Sequence, residues 1–319
     1  MKCCLYSSVK TFWVIENNQE VLASLGKLNK RGKADSISTF DFSTLYTEIP
    51  HDKLLEVLDD LTDLCFNGGN RELLSVTKSR ARWVTQASSK GITFTIDSFK
   101  EAVKYLMNNC FFTLGERTFR QKIGIPMGSD PAPFMANLFL YFYEAKYVKE
   151  VKNKDIFIAR KFRHTFRFID DLLAINDGGE FERSYTKIYP PELELKKEHS
   201  GNSVSFLDLC ISIKGRSFET SLYDKRDSFP FSIVRMPFKS SNIPSKIFYA
   251  SIGAEILRIG RASTSSYSFT CAAKLVVQRM LKQGANTKGL TKVLKRTFGR
   301  HEVLQKFEVN AVKFVASLL

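Results

Sequence analysis

The sequence predicts an α/β or α+β sheet with helices behind it, followed by a mainly helical C-terminal region. Short apolar strands, among them residues 39–42 and 166–175, alternate with helical patterns through the first two thirds of the chain. From about Ser245 onward the pattern is mostly helical and basic. The first part is therefore expected to hold a sheet and the second part a group of helices.

The composition of the 319 residues is that of a folded and strongly basic protein. The apolar share of 44% and the aromatic share of 13% are enough for a real core, which excludes a disordered chain. The net charge is +15, and residues 214–319 hold 19 lysines and arginines against six acidic residues. This charge indicates a polyanionic partner such as nucleic acid. The alternative is a basic protein with a solvated helical tail.

The six cysteines and four histidines show no spacing typical of a zinc site, and several cysteines lie in apolar runs. We therefore expect buried, reduced thiols and an intracellular location. The longest apolar stretch, Phe134 to Tyr143, contains Asn137 and is far too short to cross a bilayer. No membrane partner is predicted.

The N-terminal elements are a helix, a basic loop, a strand and a second helix. Residues 9–25 have helix-like spacing, and residues 27–33 form a basic, Gly-punctuated loop that is either solvated or in contact with phosphate. Thr39 to Phe42 is typical of a short buried strand, and a helix is predicted from about Asp52.

The remaining elements follow from turn residues and from periodicity. Ser98 with Glu101 three residues on is typical of a capping box, which predicts a helix up to Asn109. In chain order the others are a hairpin at 110–114 and 118–123, a Gly- and Pro-rich loop at 124–133, a helix from near Phe134, a helix at 180–188, a strand at 192–198, a hairpin at 206–213 and 218–223, and a helix at 270–283 that stops at Gly284.

Two adjacent acids stand at the tip of a further apolar hairpin. Asp170 and Asp171 follow Phe168-Ile169 and precede Leu172-Leu173. On its own, such a pair is typical of a solvated turn. A second isolated acid, Asp41, however, ends another apolar strand. Acids on neighbouring strand ends can share a pair of Mg²⁺ ions, the arrangement used for in-line phosphoryl transfer.

Three motifs in this order resemble the palm of reverse transcriptases. They are Phe40-Asp41-Phe42-Ser43-Thr44-Leu45-Tyr46, the run from Gln121 through Gly124-Ile125-Pro126-Met127-Gly128-Ser129 to Asn137, and Phe168-Ile169-Asp170-Asp171. The sequence at residues 46–50, 124–129 and 206–208 is most similar to that of the reverse transcriptases of Penelope-like retroelements, with telomerase and group II intron enzymes as more distant possibilities.

The resemblance implies a role for each matched residue. Asp41, Asp170 and Asp171 would be the catalytic residues and the ligands of two Mg²⁺ ions, for which Mn²⁺ is a possible substitute. The nucleotide-binding positions would be Phe42, Tyr46, Gln121, Gly128 and Lys197. Tyr46 would favour deoxynucleotides as a steric gate, or would be a packed core aromatic. The lysine near the leaving pyrophosphate is Lys196 or Lys197, unless both simply lie on a solvated strand edge.

The resemblance also implies an architecture, namely an α+β right-hand polymerase palm in which helices back an antiparallel sheet. The expected divisions are residues 1–39 as partial fingers, 40–213 as the palm and 214–319 as a basic, mainly helical thumb. Because only 40 residues precede Asp41, we expect the fingers to be incomplete and the domain to be truncated at its N-terminus.

The implied function is that of an RNA-directed DNA polymerase of a retroelement. Its partners would be an RNA template with a DNA primer and deoxynucleoside triphosphates, and a nuclear location is expected from the family. One alternative is a catalytically inactive remnant that still binds nucleic acid. A second alternative is an RNA-dependent RNA polymerase, against which Tyr46 argues.

Overall fold

Strands and helices alternate through the first part of the chain and helices follow, as the sequence predicts. A computed structural model describes residues 12–68, 71–87, 89–231 and 233–317. These residues form two compact units, the first of residues 12–16 and 40–198 and the second of residues 17–39 and 199–317. Each unit has its own hydrophobic core. None of the described helices is long and apolar enough to cross a membrane.

The elements are numbered in chain order over the described residues. The helices are α1 (Gln19–Asn29), α2 (Leu45–Glu48), α3 (His51–Asn67), α4 (Ile96–Asn108), α5 (Ala132–Lys154), α6 (Ile156–Lys161), α7 (Glu180–Ile188), α8 (Ser245–Ala262), α9 (Ser266–Lys282), α10 (Thr287–Arg300), α11 (Glu302–Gln305) and α12 (Ala311–Ala316). The strands are β1 (Ile37–Phe42), β2 (Leu73–Val76), β3 (Ala81–Val84), β4 (Ile92–Phe94), β5 (Phe111–Leu114), β6 (Arg117–Arg120), β7 (Thr165–Phe168), β8 (Asp171–Ile175), β9 (Leu195–Ser200), β10 (Ser203–Phe206), β11 (Leu209–Lys214) and β12 (Ser217–Leu222).

A four-stranded sheet in the order β7–β8–β1–β9 carries the predicted acids. Strands β7 and β8 pair antiparallel. Helix α5 packs on this sheet, since Phe139 and Leu140 of the helix share one buried core with Leu172 and Ala174 of β8. The long apolar face of α5 therefore backs the strands that present the acids, as the predicted sheet with helices behind it requires.

Three smaller antiparallel sheets complete the fold. The hairpin β5–β6 is confirmed, with its turn at 115–116. In the second unit, β10, β11 and β12 form a sheet, which confirms the hairpin of β11 and β12 and adds β10 as a further strand before the turn at Leu207. Neither the sheet β3–β2–β4 nor the short helix α2 was predicted from the sequence.

The predicted helix over residues 9–25 is wrong for its described part before Gln19; residues 9–11 lie outside the described residues. The segment is instead paired with β7, because the Ile15 amide donates to the Arg167 carbonyl (2.9 Å) and the Arg167 amide donates to the Trp13 carbonyl (2.8 Å). Trp13 and Ile15 are both buried, which is the two-residue period of a strand.

Two helices begin earlier than predicted. Helix α4 is capped by Thr95, whose hydroxyl accepts from the Ser98 amide while the Ser98 hydroxyl accepts from the Thr95 amide, so the predicted box of Ser98 with Glu101 is wrong. Helix α5 begins at Ala132 rather than Phe134. Prolines suit this first turn, because its amide groups have no partner within the helix.

The cysteines agree with the prediction in part. Cys65 and Cys110 are buried, whereas Cys210 is partly buried and Cys271 is exposed. Cys3 and Cys4 lie outside the described residues. The mainly helical pattern predicted from about Ser245 is confirmed, although the helix predicted from Thr270 begins at Ser266. This helix, α9, is followed by Gly284, whose φ of +92° lies in the left-handed region that favours glycine after a helix.

Candidate active site

Three carboxylates from neighbouring strands lie together in the first unit. Asp41 belongs to β1, Asp170 stands in the turn after β7, and Asp171 is the first residue of β8, which lies beside β1 in the sheet. A ligand oxygen of each acid lies within 4.8 Å of those of the other two, and all three side chains are partly buried. The fold therefore brings Asp41 together with an acid pair that lies about 130 positions later in the sequence, in a group that could hold a metal ion.

The turn that presents Asp170 has a strained backbone. Ile169 and Asp170 are its two turn residues, one position earlier than a turn made of the two acids. Ile169 has a φ of +57°, which is unfavourable for a β-branched residue. Arg167 Nη1 donates to the Ile169 carbonyl (3.0 Å), and the Phe42 amide donates to the Asp170 carbonyl (3.4 Å). The first bond holds the turn to β7 and the second holds it to β1.

The charges of the site repel one another. Burial raises the pKa of Asp41 above its usual value, and the negative charges of Asp170 and Glu198 raise it further. A carboxylate that ionises reluctantly because other carboxylates surround it is stabilised by a cation. Carboxylate oxygens are the ligands that Mg²⁺ and Mn²⁺ prefer. The donor set and its electrostatics therefore fit a hard divalent cation.

A buried polar network lies under the turn. Arg167 and Glu144 are both fully buried and form a two-pronged ion pair, with Nε to Oε1 at 2.6 Å and Nη2 to Oε2 at 3.2 Å. Arg167 also donates to the side-chain oxygen (2.7 Å) and the backbone carbonyl (3.1 Å) of Asn137. The Tyr189 hydroxyl donates to Glu144 at 2.9 Å. Burial, together with the charge of Glu144, raises the pKa of Tyr189 well above its usual value, so this hydroxyl keeps its proton.

Of this network, only Asn137 belongs to a motif recognised in the sequence. Arg167, Glu144 and Tyr189 were not predicted to support the site. A signal was present, because Glu144 follows an apolar helical run and Arg167 lies between two phenylalanines. A lone acid and a lone base, each in an apolar run, are costly to bury separately and inexpensive only as a pair.

Phe42 and Tyr46 lie next to the acids in different ways. The Phe42 side chain is buried and packs edge-to-face on Tyr189, with ring centroids 4.9 Å apart. Tyr46, in α2, packs partly against the core. Its pKa is raised by burial and by the charge of Asp170, which places its hydroxyl in the electric field of the acids. Tyr46 is therefore both a packed aromatic and a neighbour of the site.

The Gly- and Pro-rich loop is fastened to α2. Gly124 has a φ of +83°, and a Cβ there would lie 2.4 Å from the Tyr46 carbonyl oxygen, so only glycine fits. The amide of Gly124 donates to the Ile49 carbonyl (2.8 Å) and the amide of Ile125 to the Tyr46 carbonyl (2.7 Å). Gly128, with a φ of +93°, has open space around it. Gly124 thus allows the loop to pack closely on α2, and Gly128 leaves the loop backbone accessible.

Gln121 and the two candidate lysines make local contacts. Gln121 Nε2 donates to the Ile123 carbonyl at 3.0 Å. Lys196 pairs with Glu194 at 3.2 Å, and Lys197 pairs with Glu182 of α7 at 2.7 Å. Because side chains alternate along a strand, Lys196 shares its face of β9 with Glu198, whose charge acts on Asp41, and Lys197 occupies the other face.

The comparison with known proteins rests on the fold. No protein-family model and no curated protein matches the sequence. Among solved structures, telomerase from Candida albicans in complex with the TWJ fragment of telomeric RNA has a TM-score of 0.53 and 11% identity over 98% of this chain and 56% of that chain. Two telomerase structures from Candida tropicalis have TM-scores of 0.50: the apo form at 13% identity (98% and 54% covered) and the complex with the TWJ fragment at 10% (99% and 55% covered).

These comparisons establish the fold class. The chain is a mixed α/β protein with antiparallel sheets, similar in fold to telomerase, and it spans about half the length of the telomerase chains that it matches. Telomerase is a relative of the reverse transcriptases, so the broader resemblance drawn from the motifs is confirmed at the level of fold. The similarity to Penelope-like elements in particular stays a prediction.

Replacing Asp41 by Asn should stabilise the metal-free protein at neutral pH. The raised pKa means that the folded state holds the proton of Asp41 more tightly than the unfolded state, so stability falls as the pH rises from 3.8 through the raised value. The expected gain in Tm at pH 7 is small, about 1–2 °C, because solvent screens a partly exposed carboxylate. Thermal unfolding in EDTA measures it.

With Mg²⁺ present, the parent should have the higher Tm of the two proteins, since the ion stabilises the parent and binds the variant less well. Asp60→Asn, on the exposed face of α3, is the matched control and should respond like the parent. A metal-free Asp41→Asn protein that melts below the parent would contradict this account of the electrostatics.

Replacing Arg167 by Met should cost about 3–5 kcal/mol of unfolding free energy, because it leaves Glu144 buried without its partner. The double variant Arg167→Met/Glu144→Met should lose much less than the sum of the two single variants. Urea denaturation gives the coupling energy. The ion pair of the exposed Arg183 with Glu180 provides the control, and Arg183→Met should cost at most about 1 kcal/mol. Additive losses at Arg167 and Glu144 would show that the buried pair is not coupled.

Proposed function

We propose that this chain is a reverse transcriptase of a Penelope-like retroelement, an RNA-directed DNA polymerase that adds deoxynucleotides to a primer 3′-hydroxyl. The observation that carries the proposal is the meeting of Asp41, Asp170 and Asp171 on a fold similar to telomerase. The order of the three motifs along the chain supports it. The proposal includes an RNA template with a DNA primer, deoxynucleoside triphosphates as substrates, and a nuclear location.

Two Mg²⁺ ions, with Mn²⁺ as a substitute, fit the three acids. When bound, such ions activate the attacking hydroxyl and stabilise the negative charge of the departing pyrophosphate. Asp41 and Asp170 would supply the principal ligand oxygens and Asp171 a supporting one. The hydrogen bonds at Ile169 and Phe42 contribute by fixing the backbone from which these carboxylates project.

The surrounding residues would position the nucleotide. Tyr46 would lie under the sugar, where its ring excludes a 2′-hydroxyl, and the Phe42 carbonyl would be an additional metal contact. The open space at Gly128 would let a base pair approach the loop backbone, and Gln121 borders the same loop. Preorganised positioning of this kind provides a large part of the rate enhancement in phosphoryl transfer.

Of the two lysines, Lys196 is the better candidate for the pyrophosphate. It lies on the same face of β9 as Glu198, the residue whose charge reaches Asp41, and its partner Glu194 is exposed. Lys197 faces α7 and pairs with Glu182. We therefore assign the ammonium group near the leaving group to Lys196 and a supporting structural role to Lys197.

The basic helices of the second unit would bind the nucleic-acid backbone. Helix α10 buries Leu290 and Leu294 and exposes Lys288, Lys292 and Lys295, which recur at helical spacing on its outer face. A stripe of this kind binds phosphates without reading sequence. The divisions into partial fingers (1–39), palm (40–213) and thumb (214–319) belong to the same proposal.

Asp170→Ala should abolish polymerisation, with a loss of about a thousandfold or more, because it removes a principal ligand from the site. The measurement is primer extension on an RNA template with deoxynucleotides and either Mg²⁺ or Mn²⁺. Asp60→Ala serves as the control and should extend primers like the parent.

The outcomes distinguish the alternatives. Equal extension by parent and Asp170→Ala would overturn the assignment of the acids. Binding of primer–template by both proteins without extension by either would favour the inactive remnant. Extension by the parent with ribonucleotides in preference to deoxynucleotides would favour an RNA polymerase.

Tyr46→Ala should raise the incorporation of ribonucleotides relative to deoxynucleotides by about tenfold or more, because it removes the ring that meets the 2′-hydroxyl. Tyr46→Phe keeps the ring and should keep the selectivity of the parent. The ratio of kcat/KM for matched ribo- and deoxynucleotides measures the effect. Unchanged selectivity in Tyr46→Ala would leave this residue with only its packing role.

A further inference from the structure

The hairpin β5–β6 projects from the first unit with both faces uncovered. All ten residues from Phe111 to Arg120 are exposed. A two-stranded hairpin is marginally stable by itself in water, so an aromatic-rich one left bare points to a ligand surface. Its base is well anchored, because the Gln121 amide donates to the Cys110 carbonyl (2.9 Å) and Arg120 donates to Asn108 (3.0 Å).

One face of the hairpin is an aromatic platform. Phe112 and Phe119 lie directly opposite each other, and their rings are stacked with centroids 5.5 Å apart and planes inclined by 21°. They remain 51% and 41% exposed. Leu114 and Arg117 share this face, since opposed residues and every second residue along a strand lie on the same side.

The charge around the platform is that of a surface for polyanions. Arg117 is exposed on the platform face itself, and Arg120 on the opposite face and Lys122 just beyond the strand are exposed as well, against the single acid Glu116 in the turn. Neighbouring aromatic rings on antiparallel strands, flanked by cations, form a surface on which bases stack while phosphates meet the cations.

We propose that the platform of Phe112 and Phe119 stacks on bases of an unpaired nucleic-acid strand, the template strand as it approaches the acids. This inference rests on the proposed function. A face of four residues suits about two bases, whereas a stable protein interface needs about 20–30 residues a side. The nearby cations would pair with the phosphates of that strand.

The position of the hairpin supports the assignment to the template. Strand β6 continues into Ile123, which forms a bridge with Pro50, and then into Gly124 and Ile125, which are bonded to the segment that bears Tyr46. Ile125 is six positions after Phe119, so the platform lies at most about 22 Å along the chain from the residue whose amide binds the Tyr46 carbonyl. Only a few nucleotides would span that distance.

The test compares two labelled RNA–DNA primer–templates in EDTA by fluorescence anisotropy, one blunt and one with an unpaired RNA template overhang. The parent should bind the overhang form more tightly. Phe112→Leu/Phe119→Leu keeps the apolar surface but removes the rings, and should weaken overhang binding by about tenfold or more while leaving blunt binding unchanged. Phe112→Trp/Phe119→Trp should restore it. Thr113→Ala/Thr118→Ala, on the opposite face, is the control and should bind like the parent.

This experiment separates the platform from catalysis. The binding assay needs neither metal nor turnover. If the parent fails to extend primers yet shows ring-dependent overhang binding, the polymerase proposal fails and the platform stands. If the double Leu variant binds the overhang like the parent, the platform proposal is overturned. A parent dimer, detected by light scattering and dissociated by Phe112→Ala/Phe119→Ala, would also overturn it in favour of a protein-docking face.

Discussion

Arg167 and Glu144 are fully buried, so each charge depends on the other for its stability inside the core. Arginine does not lose its proton in proteins, and a buried guanidinium therefore needs a fixed anionic partner with its remaining N–H groups satisfied. Asn137 and the Ile169 carbonyl satisfy them. Because one of these acceptors belongs to the turn beside Asp170, the ion pair that stabilises the core also fixes the position of a catalytic candidate.

The attraction between Arg167 and Glu144 in the core contrasts with a repulsion between the acids of the site, which lie nearer the surface. Asp41, Asp170 and Asp171 lie within a few ångströms of one another, and burial together with the charges of Asp170 and Glu198 raises the pKa of Asp41. A mobile turn would relax by moving the acids apart and would lose its value as a set of ligands. The network below the turn, which binds the Ile169 carbonyl, opposes that relaxation, so the folded protein retains both the strained backbone of Ile169 and the repulsion between the acids.

The sequence was sufficient for the acids and insufficient for what supports them. The grouping of Asp41, Asp170 and Asp171 could be predicted because each lies at or beside the end of an apolar strand and because the motifs keep a recognisable order. The ion pair of Arg167 with Glu144 joins a strand to a helix 23 positions away, and local periodicity carries no information about such a pairing. The prediction of a helix around Trp13 is wrong for the same reason, since the strand that this segment pairs with, β7, lies about 150 residues further along the chain.

The connection between hairpin and acids decides what a bound strand at the platform would do. The backbone of Gly124 lies so close to Tyr46 that a side chain would not fit between them. The amides of Gly124 and Ile125 also bind the carbonyls of Ile49 and Tyr46, so a shift of the loop at this point would break two hydrogen bonds. A strand stacked on Phe119 would therefore be held at a set distance from the site. A flexible connection between the platform and the acids would only raise the affinity for the strand. A rigid connection also fixes which base reaches the acids, and a templated reaction depends on that register as much as on binding.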